Sequence, residues 1–196
     1  MLRRFAQGGA ALYAAGVSLG GNALLKWLGE RGAEAAALVR RAAAVSAPID
    51  LAASGRALDR GFNRRIYTRA FLATLKAKAF AKLALAQLRL DERRLARART
   101  LHDFDDLVTA PLHGFRDADD YWARASSAPS LARIVVPTLV LNARNDPFLP
   151  EAALERAARG VSRRVMLEFP RTGGHAGFPG RGQWLARRVL DFLSAP

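Results

Sequence analysis

The sequence contains no cysteine, and only three histidines occur among its 196 residues. Without cysteine the chain forms no disulfide, offers no thiol nucleophile and binds no metal through thiolates. Such a composition fits a reducing compartment, so we expect a cytoplasmic protein. Long apolar runs are also lacking, because no stretch approaches the roughly 20 uninterrupted apolar residues of a transmembrane helix. The sequence therefore predicts neither a membrane span, nor a metal site, nor a bound cofactor.

A glycine–serine–glycine pattern near the start is the most informative feature that is present. Gly16, Ser18 and Gly20 form G-x-S-x-G, with an apolar stretch before the pattern and a helical pattern after it. In a strand–turn–helix setting this is a nucleophile elbow, whose serine takes a strained backbone conformation at the start of the helix. The two glycines would let the neighbouring backbones approach each other. The alternative interpretation is an ordinary glycine-rich turn.

Two further residues follow in the order that a triad of this kind requires, which is serine, then acid, then histidine. Asp146 comes after the apolar stretch 135–142, which reads as a buried parallel strand. His175 lies in a glycine-rich loop after the next predicted strand, 163–169. We expect His175 to accept the serine proton and Asp146 to orient the imidazole. The backbone N–H of Leu19, directly after the serine, would supply one oxyanion donor.

Each candidate also has a plainer interpretation. Asp146 stands between Asn145 and Pro147, and such a tripeptide is a strong turn signal. Asp50 is the second candidate for the acid. The other two histidines, His102 and His113, lie in a charged helical region, so we expect them to be structural.

Several motifs together resemble the YheT-like subgroup of the α/β hydrolases. They are Gly16–Asn22, Val45–Pro48, Arg60–Asn63, Phe104–Phe115, Asn145–Phe148 and Gly173–Phe178. The resemblance implies an α/β-hydrolase fold, with an incomplete, mostly parallel sheet, flanking helices and an inserted helical cap. It also implies hydrolysis of carboxylic esters with short or medium acyl chains through an acyl-enzyme, with Ser18, Asp146 and His175 as the triad. Some relatives transfer the acyl group to an alcohol, so an acyltransferase is an alternative.

The sequence departs from this family in the position of its elbow. In the family the elbow follows the fifth strand of the sheet, whereas here the serine is residue 18. We therefore expect the C-terminal portion of such an enzyme, without the early strands and without the loop that gives the second oxyanion donor. The outer edge of the first strand would then be exposed and unpaired. A truncated and catalytically impaired remnant is the alternative to an active esterase.

The order of the predicted elements suggests an interrupted core. Strands are expected at 10–17, 41–47, 135–142 and 163–169, and an amphipathic helix near 183–193 would cover the sheet. We assign 1–48 and 129–196 to the hydrolase core and 49–128 to a helical, basic cap. Within the cap, Tyr121 and Trp122 either line the acyl pocket or simply pack.

Positive charge is concentrated in this predicted cap. The whole chain carries a net charge of +14, and residues 56–99 hold 13 Lys or Arg against three acids. The plainer interpretation is a solvated, arginine-rich surface. A basic amphipathic cap could instead make peripheral contact with an anionic membrane and admit a small-molecule or lipid-like ester. We expect no nucleic-acid partner, because the aromatic residues do not form a stacking platform.

The first five residues are similar to the start of a secretory or twin-arginine signal. The apolar stretch after them ends inside the elbow, so cleavage there would remove or damage Ser18. We therefore interpret Met1–Phe5 as the end of a helix that precedes the first strand.

Overall fold

The computed structural model describes residues 11–84, 90–178 and 183–195. Two compact units make up the chain. We name the first, Met1–Asp50 with Ser126–Pro196, the sheet unit, and the second, Leu51–Ala125, the helical unit. The helical unit falls inside the segment 49–128, whose role as a cap stays a prediction. Our interpretation of Met1–Phe5 lies outside the described residues.

A parallel sheet of four strands, in the order β1-β2-β3-β4, forms the centre of the sheet unit. Its strands are β1 (Tyr13–Val17), β2 (Arg41–Val45), β3 (Thr138–Leu141) and β4 (Val165–Glu168). The register places Val17 opposite Val45, and Val45 opposite Leu141. The predicted parallel sheet and its four strands are confirmed. β3 begins later than predicted, because Val135 is exposed and Pro137 has no N–H for a ladder.

Helices make up most of the remaining described chain. In chain order they are α1 (Leu19–Arg31), α2 (Ala33–Ala36), α3 (Leu51–Leu58), α4 (Gly61–Asn63), α5 (Arg69–Ala84), α6 (Glu92–Arg97), α7 (Leu101–Phe104), α8 (Ala110–Leu112), α9 (Ala118–Ala125), α10 (Glu151–Ala158) and α11 (Trp184–Ser194). Arg64–Thr68 and Asp105–Thr109 form wider π-helical turns, and Ala128–Arg133 forms a 3₁₀-helix. None of the described helices has both the length and the apolar character needed to cross a bilayer.

The small residues of β2 point alternately to the two faces of the sheet and are buried on both. Ala42 and Ala44 belong to one buried cluster, which includes Leu25 and Leu28 of α1. Ala43 belongs to a second cluster on the other face, which Phe192 of α11 completes. The prediction that the last helix covers the sheet is therefore confirmed. Both faces are buried, as an α/β architecture requires of a parallel sheet.

β1 lies at one end of the sheet. Among the described residues it pairs only with β2, and its side chains alternate between exposed and half-buried. Val17 leaves 54% of its surface exposed, and Tyr13 is also an exposed apolar residue. The described part of the sheet therefore ends on an apolar edge strand, which agrees with the expectation from the sequence.

The helical unit has a core and a polar network of its own. Leu72, Leu95 and Phe104 lie in its buried cluster. Asp59 accepts hydrogen bonds from the backbone N–H groups of Leu101 and His102, which begin α7. Burial raises the pKa of Asp59, although these two hydrogen bonds act to lower it. A partly buried carboxylate therefore ties α7 to the end of α3.

Trp122 of α9 is packed inside the helical unit and does not line an open pocket there. The indole N–H donates to Asp105 at 2.8 Å, and the ring is only 3% exposed. A Cβ added at Gly55 would lie 2.6 Å from this ring, so α3 and α9 are in close contact. Burial is the largest influence on the pKa of Asp105 and raises it, whereas the hydrogen bonds from Thr109 and Trp122 lower it.

Candidate catalytic site

Ser18 occupies the turn between β1 and α1. Its backbone has φ 53° and ψ −128°, a region that residues other than glycine rarely adopt. Such a conformation costs on the order of 1–3 kcal/mol and persists only where the surroundings fix it. Here the Ser18 N–H donates to the carbonyl of Val45 at 2.8 Å, which anchors the turn to β2. The predicted strained elbow is present.

The Ser18 hydroxyl does not cap the helix that follows it. A serine at this position usually accepts a hydrogen bond from the first turn, but the Ser18 side chain makes no such bond. The first turn of α1 also carries no acidic residue. Because the first N–H groups of a helix have no acceptor within it, the N–H of Leu19 lies where negative charge is favoured.

The glycines around Ser18 differ in their steric role. A Cβ added at Gly16 would lie 2.6 Å from the carbonyl oxygen of Gly20, so no side chain fits at Gly16. A Cβ added at Gly20 would meet no described atom within 4 Å. The prediction that both glycines permit close approach is therefore right for Gly16 and wrong for Gly20. Gly21 is the second restricted position, since its Cβ would lie 3.0 Å from the Cβ of Ala47.

Asp146 lies in the loop after β3, and its side chain is 0% exposed. One carboxylate oxygen accepts the backbone N–H of Phe148 at 2.9 Å, and the other lies 2.8 Å from Nδ1 of His175. The turn interpretation and the functional one therefore both describe this residue. The tight turn holds the carboxylate in place and leaves its second oxygen for the histidine.

His175 connects the acid to the serine. Its Nδ1 faces Asp146, and its Nε2 lies 2.9 Å from Oγ of Ser18. The ring of Phe148 lies against the imidazole, with the two ring centroids 4.4 Å apart. The structure thus brings the three predicted residues together in one hydrogen-bonded chain, although 157 positions separate Ser18 from His175.

Asn145 is a site residue that the sequence analysis did not single out. Its side-chain oxygen accepts the backbone N–H groups of Gly173 and Gly174, each at 3.0 Å. Asn145 therefore joins the loop of the acid to the loop of the histidine. Its place directly before Asp146 was the available signal, because asparagine side chains often hydrogen-bond backbone groups in turns.

The remaining candidates have other partners. Asp50 lies 3.5 Å from a guanidinium nitrogen of Arg156. The carboxylate that contacts the ring of His175 belongs to Asp146. His102 packs edge-on against Trp122, with the ring centroids 5.2 Å apart. That packing agrees with the structural role expected of His102. His113 is exposed in the helical unit.

Comparison with known proteins identifies the family. The family described as alpha/beta hydrolase fold matches residues 6–180. The chain belongs to the α/β-hydrolase family. This membership confirms the fold that the elbow, acid and histidine motifs predicted.

Relatives of this α/β hydrolase carry names of ester-cleaving enzymes. This chain is 37% identical over 194 residues to "Putative esterase YheT" of Escherichia coli (strain K12), and the match covers 95% of this chain and 56% of that protein. It is 31% identical over 192 residues to "Phospholipase ABHD3" of Mus musculus, covering 95% of this chain and 46% of that protein. The chain spans about half the length of the curated relatives that it matches.

Solved structures agree on the fold of this α/β hydrolase. An alpha/beta fold family hydrolase from Bacillus anthracis str. Sterne superposes with a TM-score of 0.54 at 14% identity, covering 97% of this chain and 70% of that one. Monoacylglycerol lipase of Paleococcus ferrophilus gives 0.53 at 18% identity, covering 97% and 71%.

Proposed function

We propose that this protein is a serine hydrolase that cleaves carboxylic esters through an acyl-enzyme, with Ser18 as nucleophile, His175 as base and Asp146 as orienting acid. The observation that supports this most directly is the chain of contacts from Asp146 through His175 to Ser18, at 2.8 and 2.9 Å. Such distances lie within the range over which a base activates a nucleophile.

Acylation begins with the tautomer of His175 that carries its proton on Nδ1. This N–H donates to Asp146, which leaves Nε2 free to accept the proton of the Ser18 hydroxyl. Oγ attacks the ester carbonyl carbon as that proton moves to Nε2. The buried Asp146 carboxylate stabilises the imidazolium that forms.

Negative charge develops on the carbonyl oxygen of the tetrahedral intermediate. The N–H of Leu19 at the start of α1 donates to this oxygen, and the absence of acidic residues in the first turn leaves the positive end of the helix dipole uncompensated. Collapse of the intermediate breaks the bond to the alkoxy oxygen. That oxygen leaves as an alcohol with the proton from Nε2 of His175.

Deacylation repeats these steps with a second nucleophile. Water loses a proton to His175 and attacks the acyl carbonyl, and the carboxylic acid departs as Ser18 regains its proton. An added alcohol in place of water would give a new ester, which is the acyltransferase alternative. Analysis of products formed with added alcohol separates the two reactions.

The names of the relatives support an ester as the substrate. The Escherichia coli and mouse proteins are named an esterase and a phospholipase, and both names refer to ester bonds. We propose carboxylic esters with short or medium acyl chains for this chain.

Release of nitrophenol from butyrate, octanoate and palmitate esters tests the proposed function. We expect turnover of the two shorter esters and a fall of about a millionfold in kcat for Ser18→Ala. Asp146→Asn should lose about ten thousandfold, because the imidazole then takes the wrong tautomer. Ser194→Ala is the matched control, since among the described residues that hydroxyl donates only to the carbonyl of Leu190 within α11.

Wild-type rates in the Ser18→Ala protein would overturn the proposed nucleophile. Absence of turnover in a folded, monodisperse wild-type chain would overturn esterase activity for this chain. Preference for the palmitate ester would overturn the proposed acyl length while leaving the nucleophile in place.

A further inference from the structure

One continuous helical stretch of the helical unit, Gly61–Ala84, has an unusual exposed face. It consists of α4, the π-helical turn Arg64–Thr68 and α5. Thr68, Leu72 and Ala79 are buried on its inner side. The opposite side carries both apolar side chains and cations, and we name it the basic–apolar face (Arg60–Lys82).

Large apolar residues on this face are exposed. Phe62 and Ile66 stand one helical turn apart and leave 70% and 50% of their surfaces exposed. The exposed side then continues through Ala70, one turn on, and through Ala77 and Ala81, two and three turns further, all of which have small side chains. A helix on a solvated surface normally presents polar residues here. Exposed apolar clusters on soluble proteins commonly mark interaction sites.

Cations accompany these apolar residues, and the nearest acid in the sequence, Asp59, directly precedes Arg60 and accepts the backbone N–H groups of Leu101 and His102. Residues 60–84 contain seven Lys or Arg and neither Asp nor Glu. Arg60, Arg64, Arg65 and Arg69 are exposed, and none of them forms a salt bridge with a described residue. Arg116 in the same unit differs, because it pairs with Asp117.

We propose that the basic–apolar face docks on the surface of an anionic lipid bilayer. Arginines would donate hydrogen bonds to lipid phosphates, while Phe62 and Ile66 would enter the boundary between headgroups and acyl chains. The absence of acidic residues from 60–84 makes the face complementary in charge to anionic lipid. The binding strength of an amphipathic helix at a membrane surface depends on both buried apolar area and attraction to anionic lipid, and this face offers both.

A nucleic acid would share the phosphate chemistry but not the apolar one. A duplex phosphate backbone is contacted by cations and hydrogen-bond donors, so Phe62 and Ile66 would contribute little. Because these are the two most exposed large apolar residues of the face, they favour lipid over nucleic acid.

Sedimentation with sucrose-loaded vesicles tests the proposal on the full chain and needs no ester turnover. We compare vesicles of phosphatidylcholine with vesicles of equimolar phosphatidylcholine and phosphatidylglycerol. Binding to the anionic vesicles alone is expected. The double variant Arg64→Gln/Arg65→Gln should bind about twenty-fivefold more weakly, at roughly fivefold for each charge near the surface. Phe62→Ser/Ile66→Ser should lose at least about tenfold.

Matched controls separate docking from net charge and from folding. Arg159→Gln/Arg163→Gln removes two exposed charges from the sheet unit and should leave vesicle binding within about twofold of wild type. Circular dichroism and thermal unfolding confirm that each variant is folded. Equal losses of vesicle binding in the Arg64/Arg65 and Arg159/Arg163 variants would overturn the proposal. Unchanged vesicle binding in the Phe62/Ile66 variant would overturn it as well. Binding to duplex DNA without binding to anionic vesicles would overturn it in favour of a nucleic-acid surface.

Discussion

The side-chain oxygen of Asn145 accepts a hydrogen bond from the backbone N–H of Gly173 at 3.0 Å. Asn145 follows β3 and Gly173 follows β4, so this bond connects two loops at the carboxyl edge of the sheet. One loop carries Asp146 and the other carries His175. The distance between the acid and the imidazole therefore depends on Asn145 as well as on the two residues themselves.

We predict that Asn145→Ala reduces esterase kcat by about a hundredfold, because a displacement of the His175 loop by about 1 Å has that effect on a reacting pair. KM should change little, since the side-chain oxygen of Asn145 is already bonded to the backbone N–H groups of Gly173 and Gly174. Asn145→Asp retains an acceptor for Gly173 and Gly174 and should recover most of the rate. Steady-state kinetics of the two variants provide the measurement. A fall in thermal stability without a fall in kcat would show that Asn145 only stabilises the loop.

Gly16 and Gly20 give a second prediction, because one is confined and the other is not. Gly16→Ala should destabilise the protein by about 1–3 kcal/mol, since its Cβ would meet the backbone of Gly20 at 2.6 Å. Gly20→Ala should be neutral or stabilising by up to about 1 kcal/mol, because alanine favours the helix. Urea unfolding of both variants measures the difference. Equal destabilisation at the two positions would contradict the steric account.

The raised pKa of Asp105 predicts a pH dependence of the helical unit. A carboxyl whose pKa is raised in the folded state binds its proton more tightly there than in the unfolded chain. Its ionisation at neutral pH therefore destabilises the fold, and stability is regained as the pH falls from the raised pKa to the usual value. Asp105→Asn keeps an acceptor for Trp122 and removes the charge. We expect this variant to be more stable than wild type by about 1 kcal/mol at neutral pH.

The difference in Tm between Asp105→Asn and wild type should close as the pH falls into the range where ordinary aspartates titrate. Asp117→Asn is the control of opposite sign, because its hydrogen bond with Arg116 lowers the pKa of Asp117. That substitution should reduce Tm at neutral pH. If the Tm difference between Asp105→Asn and wild type does not change with pH, the charge of Asp105 does not destabilise the fold.

The apolar edge at β1 predicts self-association. Ala15 lies on this edge strand and is exposed, so Ala15→Lys should place a charge where another strand would pair. We expect the wild-type chain to form concentration-dependent oligomers and the variant to form fewer. Light scattering after gel filtration measures both. Ala152→Lys, at an exposed position of α10, is the matched control and should leave association unchanged.

Much of the candidate site could be predicted because its signals are local. The pattern of glycines around Ser18 marks the elbow, and the acid and histidine each follow a short apolar strand. Parallel strands bring their carboxyl ends to the same edge, so residues that follow β1, β3 and β4 converge there. The order of the residues along the chain then assigns a role to each.

The features that could not be predicted depend on contacts between distant segments. The role of Asn145 requires knowledge that its loop lies against Gly173, 28 positions away. The freedom at Gly20 follows from the direction in which its Cβ would point. The bond between Asp105 and Trp122 likewise joins residues 17 positions apart, which no local pattern specifies.

Labelling with a fluorescent fluorophosphonate tests the central claim most directly, because a serine that a base has activated reacts with this probe far faster than an ordinary hydroxyl does. The purified chain is compared with Ser18→Ala and His175→Ala, and His113→Ala serves as the histidine control because its ring is exposed in the helical unit. We predict labelling of wild type and His113→Ala, and none of the other two variants. Labelling that persists in Ser18→Ala, or none in a folded wild-type chain, would contradict an assembled Ser18–His175 pair.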